Sequence, residues 1–212
     1  MAAVLEGLTG VLLAGGKSRR MGQDKRWLEV GGRPLFHRVL SALEGLFQEI
    51  LIVVAEPLPQ LEGTAHRVVT DLIPNCATLG GLYTGLSYAG GQRIFAVGCD
   101  MPFLSRTVIT QMATLDRQAD VVMAELATGL QPLHAVYSKA CLAPMERMAK
   151  AGKLKVQELV QYPGLSVRLV PERDFRPIDP DGLSFMNVNT PADIEFVRKL
   201  LANRDFHEPD ER

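Results

Sequence analysis

Two apolar rhythms alternate along this chain. Gly10-Val11-Leu12-Leu13 is a short continuous apolar run that ends in Ala14-Gly15-Gly16. From Pro34 to Phe47, Leu35, Val39, Leu40, Leu43 and Leu46 recur at helical spacing. Pro34 suits the first turn of that helix, where its missing N–H would have no partner anyway. Ile50-Leu51-Ile52-Val53-Val54 follows, and an apolar run without alternation fits a strand covered on both faces, as in a parallel sheet. Val68-Val69-Thr70 predicts a third strand ending at Asp71, Leu79 to Ala89 a glycine-containing helix, and Ile94-Phe95-Ala96-Val97 a fourth strand ending at Gly98-Cys99-Asp100. Ser105 is placed to cap a helix running to about Leu115. Val121-Val122-Met123-Ala124 predicts a fifth strand.

The second half is less regular. Leu133 to Tyr137 reads as a strand, Lys139 to about Ala151 as a helix, and Leu154 to Val160 as a second, short helix. Ser166 to Val170 alternates polar and apolar, the mark of a half-exposed strand. Thr190-Pro191-Ala192-Asp193 carries a cap, a first-turn proline and a third-position acid, and so starts a helix that should reach about Leu201. Residues 204–212 are polar and are expected to fray. The alternation predicts one three-layer α/β/α domain over residues 1–203, built on a mostly parallel sheet, with 204–212 as a polar tail.

Composition narrows the partners. With 23 Lys plus Arg against 24 Asp plus Glu, the formal charge is −1, which removes the basic field of a general nucleic-acid binder. The longest strongly apolar run, Ile50 to Ala55, falls far short of the roughly 20 residues of a membrane span. No basic region precedes the first apolar stretch, so no secretory leader is expected. Cys76, Cys99 and Cys141 are sparse and odd in number, which points to reduced thiols in a cytoplasm.

In open α/β sheets ligands gather at the carboxyl ends of the strands, and three such ends carry informative groups. After the first strand, two glycines let the backbone approach a ligand and aim N–H groups at an anion. Lys17, Arg19, Arg20, Lys25 and Arg26 then fall within ten positions, against a single acid, Asp24. That density of cation after a buried strand predicts phosphate binding rather than a merely solvated loop. Counting excludes two familiar phosphate loops. A P-loop ending at Gly16-Lys17-Ser18 needs a glycine where Val11 stands, and a dinucleotide fingerprint beginning at Gly15 needs one where Lys17 stands. Asp71 and Asp100 end the third and fourth strands. Each reads either as a turn aspartate or as a ligand for a hard cation such as Mg²⁺, which takes one or two carboxylates plus phosphate oxygens and water. Asn187 and Asn189 share a face if their segment is extended, with Val188 opposite; they could meet a polar substrate or satisfy the local turn. His134, within a strand, reads as a structural group rather than a general base. Cys99 reads as a small buried apolar side chain. No nucleophile elbow of the G-x-S-x-G type occurs.

Leu13-Ala14-Gly15-Gly16, Arg20-Met21-Gly22 and Asp24-Lys25 resemble the signature of nucleotidyltransferases of the GT-A-like (Rossmann-like) fold. Cys99-Asp100-Met101-Pro102, Pro132-Leu133-His134-Ala135-Val136-Tyr137 and Asn187-Val188-Asn189-Thr190-Pro191 narrow the likeness to the molybdenum cofactor guanylyltransferases, from about Gly7 to Leu201. The resemblance implies transfer of GMP from GTP to the terminal phosphate of molybdopterin, with Mg²⁺ as cofactor. Leu13, Ala14, Gly15 and Gly16 would line the nucleotide, Lys25 and Arg20 would meet its phosphates, and Asp100 would hold the metal. Asp71 would lie near guanine or ribose, and Asn187 and Asn189 on the pterin side. Gly80 and Gly81 fall in the family's G-P-L-x-G turn, where this chain departs: Ala77-Thr78-Leu79 replaces the usual Gly-Pro-Leu. Proteins that deliver the pterin or mature molybdoenzymes are the implied partners. Rival readings are a CTP-dependent molybdopterin cytidylyltransferase, a sugar-phosphate nucleotidyltransferase, and a GTP-binding sensor or adaptor without activity.

Overall fold

A computed structural model describes residues 4–15 and 24–203. Seven strands form one sheet in the order β5-β4-β1-β6-β8-β7-β9. They are β1 (Leu8–Leu13), β4 (Glu49–Val54), β5 (Arg67–Thr70), β6 (Arg93–Gly98), β7 (Val121–Leu126), β8 (Gly129–Ser138) and β9 (Val167–Pro171). β1 lies between β4 and β6 and is parallel to both; β5 extends that parallel set. β8 is antiparallel to β6 and β7, and β9 is parallel to β7, so β8 alone in this sheet runs against the rest. A small antiparallel pair, β2 (Glu29–Val30) and β3 (Arg33–Pro34), stands apart.

The continuous apolar runs have a simple cause. Successive strand side chains point to opposite faces, and both faces are covered. Leu12, Ile52, Phe95, Val97 and Val136 pack on the side of α1 (Leu35–Leu43) and α3 (Arg106–Leu115). Val11, Leu13, Leu51, Val53, Ala96 and Tyr137 pack on the side of α2 (Ala77–Tyr88) and α4 (Leu142–Lys150). Each such Leu, Ile or Val, taken from water to full burial, contributes about 1.5–3 kcal/mol. Helix α2 lies unusually close to the sheet: a Cβ on Gly85 would stand 2.7 Å from Val11 Cγ1. A third, smaller core joins the β2–β3 pair to α5 (Pro191–Asn203) through Val30, Leu35, Val188, Ile194 and Val197.

The elements expected between residues 10 and 126 are all present, most of them a residue or two longer, but the helix expected from Pro34 to Phe47 ends at Leu43, before Gly45 at φ +73°. The second half differs more. The expected strand from Leu133 is ten residues long and starts at Gly129. Its register against β7 jumps from Met123 opposite Ala135 to Ala124 opposite Gln131, which bulges Pro132-Leu133-His134 out of the ladder. Pro132 has no N–H to give a ladder, so a bulge is where a strand proline is tolerated. The helix expected from Lys139 begins as a 3₁₀ turn, Lys139–Cys141, and becomes α-helical at Leu142. The short helix expected at 154–160 is a 3₁₀ segment, Val156–Gln161. β7 ends and β8 begins around a tight turn, with Gly129 at φ +110°, a backbone state that glycine supplies at no steric cost.

Candidate active site

Backbone bonds carry the parallel strands into a common edge. Ala14 N–H donates to Val53 O (2.8 Å), Asp71 N–H to Val54 O (2.9 Å) and Cys99 N–H to Leu13 O (3.2 Å). The sequence-predicted residues Leu13, Ala14, Gly15, Asp71 and Asp100 therefore share the carboxyl edge of the sheet. Gly16 and Arg20, with Lys17 and Arg19, lie outside the described residues.

Lys25 opens a 3₁₀ turn, Lys25–Trp27, capped by Asp24, whose carboxylate accepts from Arg26 N–H. The turn swings Lys25 over the end of β6. Lys25 Nζ is 2.6 Å from Asp100 Oδ2, 3.2 Å from Asn189 Oδ1 and 3.4 Å from Val188 O. Both charged side chains are mostly shielded, 22% and 18% exposed. The loop before α5 grips the pair from a second direction, because Val188 N–H donates to Asp100 O (2.8 Å). Asp193, three residues into the capping box, fixes that loop: its Oδ2 accepts from Asn189 N–H (2.8 Å) and Thr190 N–H (2.7 Å). These backbone bonds, led by that from Asn189, hold the Asp193 carboxyl below its usual pKa. Val188 is fully buried and Asn189 is exposed, as the alternation predicts. The two asparagines divide the alternatives: Asn189 faces Lys25, whereas Asn187 Nδ2 donates locally to Phe185 O (3.3 Å).

Asp100 fits where it does because of Gly98. A Cβ there would stand 2.6 Å from Asp100 Oδ1 and 3.1 Å from Leu133 Cδ1. Neighbouring Cys99 is buried, and burial pushes its thiol up to about 12, so it stays a neutral apolar filler. Arg26 has a role that composition hid. Its Nη1 donates to Ala14 O (2.6 Å), and its Nε and Nη2 grip both oxygens of Asp24. Burial raises the pKa of Asp24, but the Arg26 bonds outweigh it and the net shift is downward. Arg26 thus ties Ala14, just past the end of β1, to Asp24. Ala14, with N–H and C=O both committed, offers the edge a surface rather than a donor, and Gly15 beside it is exposed.

Asp71 lies three strands from Asp100, about 14 Å at the usual strand spacing, too far to share one ion. Its Oδ1 accepts from Thr84 Oγ1 (2.9 Å) and Ile73 N–H (3.1 Å). A Cβ on Gly80 would be 2.8 Å from Asp71 Oδ2 and from Ile73 O; one on Gly81 would be 3.2 Å from Leu13 Cδ2. The space at both glycines is filled by the protein's own atoms. Ala77, where the resemblance expects glycine, has φ +49°. The backbone keeps the left-handed turn and the side chain bears the strain.

The groups that accept from Lys25 Nζ include a carboxylate, an amide oxygen and a carbonyl, all hard oxygen ligands suited to a divalent cation. No group of three or more His, Cys, Asp or Glu clusters among the described residues. An ion held by Asp100 would therefore complete its shell with phosphate oxygens and water.

Residues 10–166 match the MobA-like NTP transferase domain. The chain belongs to that family. It is a nucleotidyltransferase, and enzymes of this MobA-like class generally depend on a divalent metal. A protein of Pelotomaculum thermopropionicum named probable molybdenum cofactor guanylyltransferase is 38% identical, over 92% of this chain and 94% of its own. The molybdenum cofactor guanylyltransferase of Desulfosudis oleivorans is 36% identical, over 90% of this chain and 94% of its own. The molybdopterin-guanine dinucleotide biosynthesis protein A of Archaeoglobus fulgidus shares the fold, with TM-score 0.80 and 23% identity, covering 92% of this chain and all of the other. The resemblance drawn from the motifs therefore holds. The matched family segment stops at residue 166, yet this MobA-like site draws Val188, Asn189 and Asp193 from beyond it.

Proposed function

We propose that this transferase moves GMP from GTP onto the terminal phosphate of molybdopterin and releases pyrophosphate. The observation that carries the reading is the 2.6 Å contact between Lys25 and Asp100. It brings the far end of the cationic glycine loop and the metal-type carboxylate of β6 to one point at the strand ends. The names of the curated relatives supply guanine and the molybdenum cofactor.

The attacking group is a phosphate, already an anion, so no strong general base is required. The chain's task is alignment and cancellation of charge. Leu13, Ala14 and Gly15 at the end of β1, with Gly16 next in sequence, would line the nucleotide. Lys25, aided by Arg20, offsets charge on the departing pyrophosphate. Asp100 would hold Mg²⁺, which when bound supplies charge neutralisation and Lewis acidity at the phosphate oxygens. Asp71 with Gly80 and Gly81 shapes the floor about 14 Å away, where the nucleoside would extend. Asn189 borders the side from which the pterin phosphate arrives, and Asn187, bonded to Phe185 O, supports that segment. Three unpaired thiols support a cytoplasmic setting, and no helix among the described residues is long and apolar enough to cross a membrane. Proteins that deliver the pterin or receive the finished cofactor are proposed partners.

The test is reconstitution with purified molybdopterin, Mg²⁺ and each nucleoside triphosphate, reading pyrophosphate release and product mass. GTP should give the guanine dinucleotide. A product only with CTP, or only with a sugar phosphate as acceptor, would replace this reading, and GTP binding without turnover would make the protein a sensor.

A further inference from the structure

The position of Lys25 raises a question of charge. A lysine meant for phosphates instead holds a carboxylate meant for a metal, in a cradle of Asp100 Oδ2, Asn189 Oδ1 and Val188 O. We propose that this cradle is a cation-exchange site. The Lys25 ammonium occupies it in the substrate-free protein and yields it to a divalent cation when a polyphosphate draws the lysine away. Asn189 is the positioning residue that holds the ammonium in waiting. The inference rests on the nucleotidyl-transfer reading and adds to it an account of how metal and nucleotide are coupled.

Three features carry the argument. The cradle's oxygens are hard ligands that accept from an ammonium or coordinate a divalent ion alike. The cradle is rigid: its Asn189 corner is tied through the backbone to Asp193, Val188 is anchored in the small core, and Asp100 is seated over Gly98. Its occupant hangs on a flexible four-carbon stem, a point charge able to swing while the donors stay in place. A divalent ion approaching alone meets a carboxylate already neutralised at 2.6 Å and a positive charge beside it. An ion that arrives with a polyphosphate brings the anion that relocates the lysine. By linkage the coupling is reciprocal, so each ligand raises the affinity for the other.

The experiment uses Mn²⁺ as the probe, with neither nucleotide nor acceptor present. Binding is followed by loss of the free-ion electron paramagnetic resonance signal in the wild-type protein, in Lys25→Met and in Lys25→Met/Asp100→Asn. Lys25→Met removes the competing charge and should bind Mn²⁺ at least about tenfold more tightly than wild type, a size fitting a shielded charge pair rather than an exposed one. The double variant should lose that gain. Lys25→Arg keeps a cation and should stay near wild type. Should Lys25→Met unfold, Lys25→Gln asks the same question. A neutral residue at 25 that binds Mn²⁺ no better than wild type, or a gain that persists without Asp100, overturns the proposal. Because no triphosphate takes part, that failure would leave the transfer reading standing, whereas a failed transfer assay with the Mn²⁺ gain intact would locate the fault in the transfer reading.

Discussion

His134 allows a quantitative prediction about stability and pH. The ring is fully buried between Phe95 and Phe185, with ring centroids at 5.3 and 4.7 Å, and its Nδ1 is 3.2 Å from Ser184 O. A carbonyl can only accept, so Nδ1 carries the proton of the neutral ring, and Nε2 is buried with no hydrogen-bond partner among the described residues. Burial lowers its pKa from 6.5 to about 4, although the bond to Ser184 works in the opposite direction. The unfolded chain therefore binds this proton more tightly than the folded one. The stabilisation is complete above pH 6.5 and is lost as pH falls from there towards 4. From pH 7.5 to pH 5 this one group costs about 2 kcal/mol. With a urea slope of ~2 kcal/mol per molar, the midpoint should fall by ~1 M through His134 alone. Other groups titrate in the same range, so the measurement is a comparison. Asn tolerates positive φ, and position 134 sits at φ +75°. His134→Asn will be less stable at every pH, but its decline between pH 7.5 and 5 should be shallower by that ~1 M. The single tryptophan, Trp27, supplies the fluorescence signal. Parallel declines in the two proteins would show that the ring is not held neutral by burial.

Three further outcomes follow from the site and its supports. Asp100→Ala and Lys25→Ala should each lower turnover by about 10²–10³ while circular dichroism and melting stay close to wild type; near-normal turnover in either would remove that residue from the reaction. Gly98→Ala puts a methyl 2.6 Å from Asp100 Oδ1, so the carboxylate must shift, and kcat should fall about tenfold as the lysine contact lengthens; an unchanged kcat would mean that the seat over Gly98 does not matter. Ala77→Gly relieves a left-handed residue at φ +49° and should raise stability by up to about 1 kcal/mol, or about 2–4 °C in melting temperature, and a lower melting temperature would count against strain at that turn.

The parallel half of the fold was legible because the hydrophobic pattern there has one physical cause. Strands buried on both faces must be apolar throughout, and β1, β4 and β6 obey that rule. The pattern gave no warning that β8 runs backwards, because its start, Gly129-Leu130-Gln131-Pro132, is partly exposed and polar. Pairing direction is set by the tight turn before Gly129, not by side-chain rhythm. At the candidate site, the sequence singles out Lys25 and Asp100 because charge stands out after apolar strands, and the structure brings the two within 2.6 Å. The same logic set Arg26 among the loop's five cations and could not show that its guanidinium bonds to Asp24 and Ala14. It also undervalued Asp193, whose capping box marked a helix start but whose carboxylate holds the loop against the site. Partners far apart in sequence leave no trace in spacing: Lys25 and Asn189 are 164 residues apart.

The ionisable groups packed around the end of β6 share a consequence for chemistry. Burial makes Cys99 a poor thiolate, up at about 12, and keeps His134 neutral with a pKa of about 4. Neither can exchange a proton near neutral pH, so the region offers neither a nucleophile nor a general base from these residues. A reaction whose attacker is already ionised needs neither. What it needs is a fixed arrangement of opposite charges that changes partners without rebuilding its surroundings. The bulge that buries His134 bonds to Ser184, and Ser184 Oγ accepts from Ser105 N–H at the head of α3. Those bonds anchor the segment leading to Val188 and Asn189, so the oxygens around Lys25 stay in place while the lysine's four-carbon stem can carry its charge to a new partner. The uncharged histidine therefore serves the chemistry by its rigidity, and protonating it should loosen the loop that grips Asp100 before it affects any reacting atom.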